Sequence, residues 1–121
     1  MTASEKVCLA AKALADKKGK KISAVKTSDL TTVCDYMIFA EATSNTHVRA
    51  LSDNVEKVMT ENGIEPHHIE GKATGWYLLD YTDVIVHVFT PDTYEFYNLN
   101  KIWSDGEEVD LSDCIEEKLG E

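Results

Sequence analysis

The sequence predicts a mixed α/β fold: one sheet containing both strand directions, with helices packed on it. Three features point there. Two apolar runs flank Thr82-Asp83 in GWYLLDYTDVIVHVF, residues 75–89, and read as an antiparallel hairpin. An amphipathic helix beginning near Ser44 sits between two strand-like runs, as in a right-handed parallel βαβ crossover. A further helical pattern opens the chain. With 121 residues there is room for one core, and 43% apolar content is normal for a folded globule.

The first helix is expected over about residues 4–18, because Val7, Ala10, Ala11 and Leu14 recur at helical spacing; Gly19 supplies its stop. The ALAD stretch resembles a signal-peptide cleavage site. Lys12, however, interrupts the apolar run before it reaches the length of a signal core, so an amphipathic helix of a cytoplasmic protein is expected. A short strand follows at Ile22–Lys26, then the hydroxyl-rich loop TSDLTTVCD, then an apolar strand over Tyr36–Ala42. Ser44 or Asn45 caps the second helix, whose inner face is Val48, Leu51, Val55, Val58 and Met59. Asn62-Gly63 ends it and Pro66 prevents its return. His67–Gly71 is a short strand, KATG a loop, and the hairpin comes next. Thr90-Pro91 starts a last helix with apolar contacts from Tyr94, Phe96, Tyr97, Leu99 and Trp103. The order is α-β-β-α-β-β-β-α, with five strands.

Charge is unevenly spread over the chain. The net value is −10, and residues 104–121 hold eight acids and one lysine. That stretch reads as an acidic tail, disordered or loosely docked. Such a balance argues against clamping bare nucleic acid along the whole surface. The one basic cluster, Lys17, Lys18, Lys20 and Lys21, falls at the end of the first helix, where cations complement the helix dipole. No apolar run is long enough to span a membrane. Cys8, Cys34 and Cys114 form no CxxC pair and are odd in number, so each is expected to be a buried or inert thiol.

A two-residue turn at Thr82-Asp83 sets Tyr81 opposite Val84, Asp80 opposite Ile85, Leu79 opposite Val86 and Leu78 opposite His87. Strand alternation then gives two faces. Tyr77, Leu79, Tyr81, Val84, Val86 and Val88 form an apolar face suited to lie under a helix. Trp76, Leu78, Asp80, Ile85, His87 and Phe89 form a mixed face with access to solvent or a partner, since an unpaired buried Asp80 would be costly. Asp80 and His87 could serve as an acid–base pair or belong to a gripping surface. No motif places a nucleophile beside them. No metal-ligand spacing or phosphate-binding glycine loop occurs, and Asp35 and Glu41 lack the close pairing of a two-metal site. No cofactor or metal is expected, and an enzyme finds little support.

The stretches SDLTTVCDYMIFAEATSNTHVRALSDNV and IEGKATGWYLLDYTDVIVHVFTPDTYEFYNLNKIW resemble the ribosomal silencing factor, or Iojap-like, family. The shared features are a D-Y-hydrophobic strand, an S-N-x-H-V-R-A helix start, E-G before a Trp, L-L-D-Y, V-H-V-F and a final F-Y-x-L-x-x-x-W. They cover about residues 5–103, leaving 104–121 outside the pattern. The resemblance implies a nucleotidyltransferase-like mixed sheet without that activity. It implies a translational repressor that binds the large ribosomal subunit through ribosomal protein fourteen and blocks subunit joining. It also implies a possible homodimer; from hydropathy and charge, no membrane and no direct sequence-specific nucleic-acid contact are expected. Carried onto this chain, the partner-binding residues are Trp76, Leu78 and Asp80, with Tyr77, Leu79, Tyr81 and His87 beside them. Ser44, Asn45, His47, Val48 and Arg49 match the family's helix start and read chiefly as capping and packing residues, with Arg49 also able to reach a partner.

Overall fold

The computed structural model describes residues 2–26, 35–71, 76–90, 107–109, 111 and 114. Helix α1 runs Ala3–Asp16, opened by a capping box in which Thr2 and Glu5 satisfy each other's backbone donors. It ends earlier than the glycine suggests. Lys17 is the C-cap and Lys18 takes the left-handed conformation at φ 64°. Gly19 is needed for space instead, since a Cβ there would stand 3.0 Å from the Leu14 carbonyl oxygen and 3.3 Å from Leu51. None of the four clustered lysines lies in the helix's last turn, though Lys17 caps it.

Strand β1 is Lys20–Lys26 and β2 is Tyr36–Glu41, paired antiparallel. β1 starts two residues before the expected Ile22. Exposed Lys20 and Lys21 conceal it, and the register slips between Lys20 and Ser23. Helix α2, Asn45–Glu61, is N-capped by the Ser44 hydroxyl, which accepts from the His47 N–H at 3.1 Å. His47 then clips the two helix ends together: its Nδ1 accepts from the Thr43 N–H at 2.9 Å, and its Nε2 reaches the Lys17 carbonyl at 2.8 Å. Strands β3 (His68–Glu70), β4 (Trp76–Asp80) and β5 (Val84–Phe89) follow. The expected loop at 27–34, with Cys34, the KATG loop and the expected final helix lie outside the described residues.

The sheet is mixed, with order β3-β4-β5-β2-β1-β6. Five strands are those expected. The sixth, β6 (Glu107–Val109), comes from the acidic C-terminal stretch and pairs antiparallel with β1. The helix-linked crossover from β2 does not place β3 beside it. β2 pairs in parallel with β5, and β3 lies beyond β4 at the edge. Both described helices cover one face. Val7, Leu14, Leu51, Val55 and Met59 pack there against Ala24, Ile38, Leu79, Val84, Val86 and Val88.

Two cysteines depart from the expectation of inert thiols. Cys8 on α1 and Cys114 form a disulfide with Cα atoms 5.2 Å apart across 106 residues of chain. A count of three conceals this, because sequence says nothing about which two of three thiols the fold brings together.

Candidate functional site

The hairpin adopts the expected register, with Leu78 opposite His87, Leu79 opposite Val86 and Asp80 opposite Ile85. It closes without an Asn-Gly pair. The Asp83 N–H donates to the Tyr81 carbonyl at 3.0 Å, forming a γ-turn around Thr82 at φ 76°. A β-branched residue is strained in that region, and Asp80 supports it by accepting the Thr82 N–H at 2.8 Å. Lys6 on α1 anchors the turn through a 2.8 Å ion pair with Asp83. At the other end of β4, Gly71 has φ 87°, and a Cβ there would collide with the Trp76 carbonyl. Glycine at 71 thereby lets the chain pass tightly beside Trp76.

Alternation divides the expected site residues. Tyr77, Leu79 and Tyr81 are buried and point to the helix-covered face. Burial pushes the Tyr81 hydroxyl far up, with Glu56 and Glu65 adding to the effect. Trp76, Leu78 and Asp80 share the opposite face and are partly exposed. His87 belongs to this face too but is 4% exposed. Its ring stacks between Trp76, at 6.0 Å and 7°, and Phe39 of β2, at 5.1 Å and 10°. Phe89 meets Phe39 edge-on, and Val25, Met37 and Trp76 complete a second apolar cluster. An aromatic row therefore crosses three strands beneath the exposed edge of Trp76. Phe39 was not a candidate from sequence. Its place depends on the parallel β2–β5 pairing, which strand periodicity cannot reveal.

His87 is held in one protonation state. The Trp76 Nε1–H donates to His87 Nδ1 at 3.3 Å, so Nδ1 carries no proton and the neutral ring is protonated at Nε2. Nε2 is buried and finds no partner among the described residues. Burial depresses the imidazole to about 4. A general base needs a pKa near the working pH and reach to a substrate, and this ring has neither. Asp80 shares its face but is not directly opposite it, since Asp80 pairs with Ile85 and Leu78 with His87.

Carboxylates rim the face. Glu70 pairs with Leu78 and His68 with Asp80, which places both on the Trp76 side; His68 Nε2 and Glu70 lie 2.6 Å apart. Glu41 is opposite Phe89, on the same side, with Lys21 3.7 Å away. Among the described residues no group of three or more His, Cys, Asp and Glu is placed to hold a metal ion.

The geometry is that of a firm apolar platform with an acidic border. A family model described as "Ribosomal silencing factor during starvation" matches residues 1–120. The chain belongs to the ribosomal silencing factor family. A ribosomal silencing factor of Halalkalibacterium halodurans is 34% identical over 116 residues, 95% of this chain and 99% of that protein. One from Chromobacterium violaceum is 40% identical over 96 residues, 78% and 79% of the two chains. A crystal structure of a Chromobacterium violaceum protein has TM-score 0.83 at 36% identity, covering 91% of this chain and 92% of that one. Ribosomal silencing factors are non-catalytic repressors of translation that bind the ribosome, and this chain shares that role. Among the described residues no helix is long and apolar enough to cross a membrane.

Proposed function

We propose that this silencing factor docks the Trp76–Leu78–Asp80 face onto ribosomal protein fourteen of the large subunit and thereby blocks subunit joining by occupying space. The observation carrying this reading is the partly exposed Trp76 edge, backed by His87 and Phe39 and bordered by Asp80, Glu70 and Glu41. A rigid aromatic anchor loses little entropy on binding, and a carboxylate border complements a cationic ribosomal protein. Tyr77, Leu79 and Tyr81, on the helix-covered face, hold the hairpin in the fold, and His87 backs Trp76 directly. A cytoplasmic homodimer on a nucleotidyltransferase-like scaffold without catalysis completes the reading.

The test is co-sedimentation with purified large subunits and pull-down by isolated ribosomal protein fourteen. Trp76→Ala is expected to weaken both by about 2 kcal/mol or more, roughly 30-fold. Asp80→Arg added to it abolishes binding, while circular dichroism and thermal midpoint identify a folded protein. Undiminished binding by the folded double variant rejects the surface.

A further inference from the structure

The acidic C-terminal segment enters the fold at three points. Its strand β6 pairs with β1 through Ala24–Val109, Val25–Glu108 and Lys26–Glu107. Leu111 is 8% exposed and joins the core shared by both helices. Cys114 packs against that core, donates its N–H to the Leu111 carbonyl at 2.9 Å, and is bonded to Cys8 of α1.

Among the described residues, three register pairs at a sheet edge, one buried leucine and a partly buried Val109 oppose the conformational entropy of the segment and the repulsion among its eight acids. The disulfide ties the segment to α1, so a segment that leaves the β1 edge stays held at Cys8 and gains less freedom than an untethered chain end. Cys8 and Cys114 are each partly exposed, so the bond is within reach of an attacking thiolate. In reducing compartments disulfides, where they occur, are usually transient and catalytic or redox-sensing.

We propose that Cys8–Cys114 is a reversible redox latch that decides whether the acidic C-terminal segment stays on the β1 edge. A dithiol reductant opens it by exchange. One thiolate of the reductant attacks a sulfur of the pair, forming a mixed disulfide and releasing the other cysteine. Its second thiolate resolves the intermediate. Two electrons and two protons pass to Cys8 and Cys114, and the reductant leaves as its own disulfide. Opening frees β6 and uncovers the outer backbone of Ala24–Lys26, an unpaired strand edge ready to take another strand. Three strands separate β6 from Trp76, although Val25, opposite Glu108, belongs to the same apolar cluster.

The experiment compares the full chain in oxidised glutathione and in dithiothreitol, by peptide mapping after alkylation and by hydrogen exchange. A Cys8–Cys114 crosslinked peptide is expected in the oxidised sample, with both residues alkylated after reduction. Reduction should then speed exchange at residues 24–26 and 107–111 at least about tenfold, leaving α2 and the β4–β5 hairpin unchanged. Cys114→Ser should show the fast pattern even in oxidised glutathione, and Cys34→Ser should still switch. Three results overturn the proposal: no such crosslink in oxidised glutathione, unchanged exchange in the fully alkylated protein, or acceleration throughout the fold at once. The last would mark a crosslink that holds up the whole domain instead of one segment.

Discussion

At the scale of single residues, His87 carries the clearest physical consequence. Its imidazole is depressed to about 4 by burial, against an ordinary value near 6.5. Between those values the unfolded chain binds a proton that the folded chain refuses. Stability therefore rises with pH across this window, and it is lost as pH falls from about 6.5 to about 4. The full difference is about 3 kcal/mol, at roughly 1.36 kcal/mol per pH unit. Protonation would also set a donor on Nδ1 against the Trp76 N–H that now donates to it. Denaturant unfolding at several pH values measures this. His87→Phe keeps a flat ring between Trp76 and Phe39 and should remove the extra acid sensitivity, and parallel curves for the two proteins would refute the assignment. Sequence singled out His87 as titratable but left its use open between an acid–base partner and part of a gripping surface. The deciding neighbour, Phe39, comes from a strand distant in sequence.

At the scale of the hairpin, period-two alternation separates folding from docking. Leu78 and Leu79 are adjacent, yet Leu79 is wholly buried beneath the helices while Leu78 is partly exposed beside Trp76. Leu79→Ala should cost about 2–5 kcal/mol of stability, the range for a buried leucine losing its side chain. The fraction that still folds should bind large subunits normally. Leu78→Ala should do the reverse, with a small stability loss and clearly weaker binding. Matched unfolding and sedimentation measurements on both variants decide it, and equal binding losses at equal folded concentration would dissolve the two-face division. This division was legible in sequence because the two apolar runs are symmetric about Thr82-Asp83. Short separation fixes such a register. The turn itself was less legible, since Thr82 at positive φ follows from support by Asp80 and Asp83 rather than from its own propensity.

At the scale of the molecule, the mixed sheet and its two described helices were legible from periodicity, but its strand order was not. Pairing of β2 with β5 depends on which apolar strand best fills the centre, and β3 with two exposed residues of three is left at the edge. β6 escaped because three residues inside an acidic stretch carry no periodic signal. Net charge bears on function at this same scale. A chain of net −10 approaches a particle coated in phosphate, so long-range electrostatics oppose the encounter, and affinity must come from short-range contacts. If Trp76 and Leu78 seat on a protein and the acidic border meets its cations, few phosphate counterions are released. The slope of log affinity against log salt between about 0.1 and 0.4 M should then stay shallower than about −2. Direct RNA binding through exposed Lys17, Lys18, Lys20 and Lys21 requires more. Four neutralised phosphates give a slope of about −3 to −4. Equilibrium binding to large subunits across that salt range separates the two. A steep slope abolished by charge reversal of these lysines, with Trp76→Ala nearly silent, would move the interface from the sheet face to the end of α1.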